Sequence, residues 1–287
     1  MIRELRDTDL QPLAAMVREL VPTMVVSQHT IDHMRKSATW WVTERDGELI
    51  GAARAGRFGR GWVGVVEGAR RQGLGTRLLE IMEDAVRQAG HPEAVGWTDG
   101  GAGARFAEAR GYQAARMKPV SVLRLDKVEA SPIVVPDGVR LIPLVELDER
   151  LHELYHLAMV AYGDLPDGGR DAEQSFEEWL RDDLGIPELD FHGSLVAEID
   201  GRLAALSFMT TDGLDRAEND FTGTHPDFRG RGLATLVKRA TIEWARGRGI
   251  REIWTGNDGE NAPMLAINRK LGYREEHVRV MHVKRFP

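Results

Sequence analysis

The run Phe221-Thr222-Gly223-Thr224 reads as the end of a strand, and Arg229-Gly230-Arg231-Gly232-Leu233-Ala234-Thr235 leads into a helical period. Such a junction offers an anion several free backbone N–H groups, reinforced by a helix N-terminal dipole of roughly 0.3–1 kcal/mol. Glycine there lets a pyrophosphate approach the main chain. A glycine loop alone is equally a tight turn, so spacing has to choose the ligand. No Gly-x-x-x-x-Gly-Lys-Ser/Thr run exists for ATP, and Thr235 stands where a dinucleotide fingerprint needs its third glycine. Just upstream, Glu218 and Asp220 are two residues apart and so share one strand face. They are either site carboxylates or solvent-facing groups on an edge strand.

Other chemistry is thinly represented. The chain has no cysteine, which excludes disulfides, zinc-thiolate sites and an acyl-cysteine intermediate. His29/His33 and His152/His156 keep i, i+4 spacing without the His-Glu-x-x-His pattern, so they read as exposed helix faces and no metal is expected. His225 reads as a loop cap, and the seven tryptophans read as core.

The elements that position the glycine loop occur twice. WWVTERDGELIGAARA, GVVEGARRQGLGTRLLEIMEDAVRQAG and FAEARGYQ are followed later by SLVAEIDGRLAALSFM, GTHPDFRGRGLATLVKRATIEWARGRG and INRKLGYR, in the same order. Placing Arg70 on Arg229 gives an offset of 159 (229 − 70), and Gly111 on Gly272 gives 161 (272 − 111). Asp46-Gly47 and Asp200-Gly201 lie between alternating apolar runs, the chemistry of a two-residue hairpin. Leu74, Leu78, Ile81 and Ala85 recur with helical period, as do Leu233, Val237, Ala240 and Trp244. The stretch 127–138 holds two prolines and no period, and is read as the linker between domains 1–128 and 138–287.

Composition fits a globular chain and not a disordered or fibrous one: 42% hydrophobic and 29% charged residues, enough for a core in each half. The net charge of −7 argues against non-specific nucleic-acid binding and suits a cationic substrate such as an amine. The start MIRELRDTDL lacks the pattern of a signal peptide, and no stretch approaches the roughly 18 apolar residues of a membrane helix. A cytoplasmic protein without membrane or nucleic-acid partners is expected, as monomer or homodimer.

Arg229-x-x-Gly232-x-Ala234, repeated as Arg70-x-x-Gly73-x-Gly75, resembles the Arg/Gln-x-x-Gly-x-Gly/Ala signature of the GNAT N-acetyltransferase superfamily. Asn257, Asn261, Met264, Ile267 and Leu271-Gly272-Tyr273 resemble that family's next strand and helix. The layout is similar to mycothiol synthase-like tandem members. The resemblance implies an α+β fold of two tandem units, each a mostly antiparallel twisted sheet with flanking helices. It implies acetyl-CoA as cosubstrate, with its pyrophosphate on the amides of Arg229, Gly230, Arg231, Gly232, Leu233, Ala234 and Thr235. Pantetheine would pair along Thr222, Gly223 and Thr224, assisted by Asn257 and Asn261, and a backbone N–H in that strand would meet the oxyanion. Glu218, with Asp220 as the second candidate, falls where the family places its general base. The family tyrosine that protonates the thiolate falls on Asn268, and an amide is no acid at neutral pH. The region of Tyr155, Tyr162 and Asp164 to Asp183 would wall the acceptor site.

The expected function is therefore acetyl transfer from acetyl-CoA directly to the amine of a small molecule, in the C-terminal domain. The alternatives are a catalytically silent acetyl-CoA-binding or regulatory protein, and an acetyltransferase for protein N-termini or lysines. Position by position, Glu218 and Asp220 fall on Gly59 and Gly61, and Asn257, Asn261 and Asn268 on Gly96, Gly100 and Ala107. The degenerate first copy is thus structural or binds CoA without turnover, and the structural role is the favoured expectation.

Overall fold

A computed structural model describes residues 1–130, 132–165, 174–213 and 215–287. The chain forms two compact units, Met1–Lys118 with Val278–Pro287, and Pro119–His277.

In the first unit, β1 (Ile2–Glu4), β2 (Thr39–Arg45), β3 (Glu48–Ala55) and β4 (Gly61–Val65) form an antiparallel sheet in that order. Asp46 and Gly47 both take positive φ, 52° and 83°, as the predicted two-residue turn requires. Helices α1 (Leu10–Leu20) and α2 (Gln28–Met34) cover one face through Leu13, Val17 and Ile31. Ser27 caps α2 by accepting from the His29 and Thr30 N–H groups. Helix α3 (Leu74–Gln88) buries Leu74, Leu78, Met82 and Val86 on the other face. Strand β5 (Glu93–Thr98), helix α4 (Gly101–Glu108) and the first part of strand β6 (Gln113–Arg124) come next in the chain.

The second unit repeats the plan. β7 (Val139–Pro143), β8 (Leu195–Ile199) and β9 (Arg202–Thr211) lead antiparallel into β10 (Arg216–Thr224). β10 then runs parallel to β11 (Glu252–Gly256). Asp200 and Gly201 repeat the positive-φ turn at 51° and 78°. α5 (Leu151–Tyr162) and the short α6 (Phe176–Trp179) build one core with Leu154, Leu157 and Trp179. α7 (Leu233–Gly247) buries Leu233, Val237 and Ala240 against the opposite face. α8 (Ala262–Lys270) precedes β12 (Arg274–Arg285).

The last strands are exchanged. Val120–Arg124 of β6 pairs with β11 in the second unit, while Val280–Arg285 of β12 pairs with β5 in the first. Lys284 is held by Glu83 at 2.8 Å, and Phe286 packs in the first core. The division by packing therefore differs from the 1–128 and 138–287 division of the repeat, because strand pairing binds Val278–Pro287 to the first unit. Of the stretch between Asp164 and Asp183, residues 166–173 lie outside those described.

Candidate active site in the second unit

β10 is not an edge strand. It pairs with β9 along its length and with β11 from Arg216 to Glu218. Its register with β9 shifts between Asn219 and Phe221, which leaves Asp220 as an inserted residue, a β-bulge. Up to the bulge the alternation is regular, with Ala217 and Asn219 buried and Glu218 on the other face. Beyond it the sense reverses. The Phe221 ring meets Tyr162 of α5 at 4.4 Å, and the Thr222 side chain joins Asn219 on the buried face. The pattern of two is thus valid for Glu218 and Asp220 but fails from Phe221 onward.

The bulge coincides with the end of pairing between β10 and β11. Their register stops at Glu218 with Trp254, and Thr255 Oγ1 then donates to the Asn219 carbonyl at 3.0 Å. Farther on, the Asn257 N–H turns to Pro119 O, toward β6. The edge of β10 from Phe221 to Thr224 therefore has no neighbouring strand on that side among the described residues. Alternation along β9 decides which groups that edge presents. Met209 exchanges hydrogen bonds with Ser194 and Asp190, away from β10, so Ser207 and Ala205 turn away from β10 as well. Thr222 and Thr224, their partners in register, accordingly direct N–H and C=O into the open slot.

The glycine loop closes one end of this slot. Gly230 and Gly232 take φ of +76°, and a Cβ on either would meet nothing within 4 Å, so the backbone conformation and not packing selects glycine there. Gly232 is the N-cap of α7. Among the described residues none accepts from the N–H groups of Gly230, Arg231, Gly232 or Leu233. Those of Ala234 and Thr235 lie in the first turn, where a helix has no internal acceptor. The Arg229 side chain is directed back onto the strand, Nε to Thr224 O at 3.4 Å, and pairs with Asp164. His225 caps the loop by accepting from the Asp227 N–H at 3.2 Å. At Gly223 the reason for glycine is different: a Cβ would lie 2.4 Å from that of Ala161, so α5 rests directly on the strand.

On the α5 face the Tyr162 hydroxyl donates to Asp183 Oδ1 at 2.8 Å. Burial, then the charges of Asp183 and Asp220, push the phenol well above its usual range, so Tyr162 keeps its proton at neutral pH and donates it to Asp183 in a hydrogen bond. On the opposite face lies a buried polar cluster that the sequence reading missed. Asn219 Nδ2 donates to Ser207 Oγ at 2.7 Å, while Asn219 Oδ1 accepts from Thr222 Oγ1 at 3.0 Å and from Lys238 Nζ. Lys238 is 1% exposed, and burial lowers its amine to about 7. The available signal was the repeat itself, since Lys238 aligns with Leu79.

Asn257 directly follows the last residue of β11, and Asn261 is the N-cap of α8. Asn261 Oδ1 caps α8 by accepting from the Met264 N–H at 3.2 Å, and Asn257 Oδ1 accepts from Asn268 Nδ2 at 2.5 Å. Asn268 is 2% exposed. Among the described residues no group of three or more potential metal ligands occurs, and no helix is long and apolar enough to cross a membrane.

The first unit carries the same loop. Gly73 has φ +77°, and Arg70 Nε bonds Val65 O at 3.0 Å, as Arg229 does Thr224. Arg71 stands in the left-handed region at φ 64° where the second copy has Gly230. A cleft of about 740 Å³ opens beside this loop, lined among others by Trp62, Val65, Gly73, Gly100 and Phe106.

The profile of the acetyltransferase (GNAT) family matches residues 7–112 and again 151–273. A mycothiol acetyltransferase of Clavibacter michiganensis subsp. michiganensis is 31% identical over 246 residues, 83% of this chain and 77% of that protein. One from Catenulispora acidiphila is 29% identical over 230 residues, 76% and 70% of the two chains. A tandem GNAT protein from the clavulanic acid biosynthesis pathway shares the fold with a TM-score of 0.78 at 21% identity, over 100% of this chain and 99% of its own. The GCN5-related N-acetyltransferase from Sphaerobacter thermophilus does so at 0.72 and 20%, over 99% and 95%. With one family match on each unit and a glycine loop of the same geometry in both, the chain belongs to the acetyltransferase (GNAT) family as a tandem, acyl-CoA-dependent N-acetyltransferase.

Proposed function

We propose that the second unit transfers acetyl from acetyl-CoA to the amine of a small molecule. The observation that carries this reading is the open edge of β10, ending on the unpartnered N–H groups of the Gly230–Gly232 loop, with Glu218 and Asp220 beside it. Thr222 and Thr224 give pantetheine a strand to pair with, and the loop and first turn of α7 give the pyrophosphate its donors. Glu218 takes the proton of the attacking amine, directly or through water. The Thr222 N–H donates to the oxyanion that forms on the thioester carbonyl. Collapse then expels the thiolate. Asn268 cannot protonate it, so the thiolate leaves as the anion or takes its proton from solvent.

The acceptor lies on the α5 side, where Asp183, Asp220 and Glu218 favour a cation. The 31% identity to a mycothiol acetyltransferase makes that enzyme's acceptor one candidate. A panel of amines including it, assayed for acetyl-CoA-dependent thiol release, tests the proposal. Release with at least one small amine is expected, and release only with peptide N-termini or lysines would replace it.

For the first unit the cleft favours a ligand-holding copy over a purely structural one. It retains the loop and has space beside it, but Gly59 and Gly61 supply no base. The Trp62 ring lies over Gly64, 2.3 Å from where a Cβ would be, on the strand equivalent to Phe221–Thr224. CoA held there would not turn over.

A further inference from the structure

Lys238 is an expensive residue for the fold. It is a lysine on the buried face of α7, 1% exposed, with its Nζ bonded among the described residues only to Asn219 Oδ1 and its remaining surroundings including the Tyr273 ring at 5.3 Å. A buried amine is stabilised far less well by one amide oxygen than by water. The molecule shows that the fold does not need it. In the first unit the equivalent positions are Leu79 for Lys238, Val63 for Thr222 and Ala53 for Ser207. Ala53 and Leu79 are fully or nearly fully buried in an apolar core, with Val63 packed against it. The registers agree on the alignment, since Val63 faces Ala53 as Thr222 faces Ser207. There β4 begins at Gly61, the position of Asp220, and its register with β3 is unbroken.

The polar cluster and the bulge therefore occur together, in the unit proposed to do chemistry. Their geometry explains the association. Asn219 precedes the bulge and Thr222 comes after it, and the two side chains are bonded across it at 3.0 Å. Ser207 on β9 bonds both, to Asn219 at 2.7 Å and to Thr222 at 3.0 Å. Lys238 ties the shared Asn219 oxygen to α7, the helix whose N-terminus carries the glycine loop. A bulge bends its strand and disrupts the local ladder, so the way it is held sets where the N–H groups just beyond it point.

We propose that Lys238 is a positioning residue for acyl transfer: with Asn219, Ser207 and Thr222 it locks the β10 bulge, so that the Thr222 N–H stays fixed in the open slot relative to the α7 loop. The inference rests on the function proposed for this site. Its prediction is a separation that a packing role would not produce. Lys238→Leu, which installs the first copy's residue, lowers kcat about 10- to 100-fold, the order of a misaligned oxyanion donor. It changes the KM for acetyl-CoA less than about threefold and leaves Tm unchanged or raised. Thr222→Val and Ser207→Ala read the same lock without altering α7, and the double variant Lys238→Leu/Thr222→Val loses no more kcat than the worse single change.

The experiment is steady-state kinetics of these full-length variants with an amine accepted by the parent, alongside thermal melts. Turnover within twofold of the parent in Lys238→Leu and Thr222→Val overturns the inference, and so does a parallel fall of kcat and Tm across the set. A Lys238→Leu chain that does not fold, while Thr222→Val and Ser207→Ala retain full kcat, overturns it equally. An active parent with unaffected variants sinks this inference alone, whereas a parent inactive toward every amine removes the proposed function and the inference with it.

Discussion

Glu218 lies in the part of β10 still paired with β11, opposite Trp254, and Asp220 in the bulge itself, so the two carboxylates are not interchangeable. If Glu218 receives the amine proton, Glu218→Gln lowers turnover by about 10²–10⁴-fold with little change in acetyl-CoA affinity. Asp220→Asn is the paired control, and the check is kcat/KM across pH for both. A fully active Glu218→Gln enzyme moves the base to Asp220 or to the acceptor's own neutral fraction. Lys238 gives a second prediction from its displaced titration. Its amine falls from the ordinary 10.5 to about 7 in the folded chain. Between those values the unfolded chain binds the extra proton, so this group makes stability rise with pH from about 7 to about 10.5, and it contributes no slope below 7. Lys238→Leu removes that slope. Urea unfolding at several pH values therefore shows the variant's advantage largest near pH 7 and vanishing near 10.5, while parallel curves would contradict the burial argument. The bulge was not legible beforehand, and the lysine was marked only by its alignment with Leu79 of the first copy. Period-two reading has no signal for an inserted residue, and a lysine in a helical pattern reads as solvated until its neighbours are known.

At the scale of elements, the proposed function makes the N-terminus of α7 and the edge of β10 that is unpaired among the described residues one receptor for a phosphate-bearing, extended ligand. A ligand that binds only the folded chain adds RT ln(1 + [L]/Kd), about 2.7 kcal/mol at a hundredfold excess over Kd. Saturating acetyl-CoA should raise Tm by several degrees, while NAD and ATP leave it nearly unmoved. A rise with NAD and none with acetyl-CoA would refute the assignment of the loop. These elements were well marked in the sequence. The Asp-Gly turns and the Gly73 and Gly232 caps require positive φ, which few residues adopt, so they identify themselves. Helix faces were less sharply defined. The spacing of Leu74, Leu78, Ile81 and Ala85 placed the apolar stripe slightly off the one observed, where Leu79, Met82 and Val86 are the buried neighbours. Side chains lean toward the helix N-terminus and the sheet selects the final face.

For the whole molecule, the exchanged strand is the feature the repeat concealed. Each copy ends in a strand of similar pattern, and local periodicity does not name its partner. Removing Val278–Pro287 strips β5 of its six register pairs with β12 and removes Phe286 from the first core. Against a typical domain stability of about 5–15 kcal/mol, that loss should unfold the first unit early. Denaturant melts of the truncated chain are expected to become biphasic, and a single unshifted transition would show that β12 contributes little.

The division of labour between the copies is the central claim, and one comparison of rates tests it. In the full-length chain, Gly232→Val forces a β-branched residue to φ +76° at the N-cap of α7 and places a side chain where the pyrophosphate must approach, while Gly73→Val does the same at φ +77° in the first unit. With both variants confirmed folded, acetyl-CoA-dependent thiol release is predicted to vanish in Gly232→Val and to persist largely in Gly73→Val. A dead Gly73→Val enzyme beside an active Gly232→Val enzyme would place the chemistry in the first unit and contradict the account.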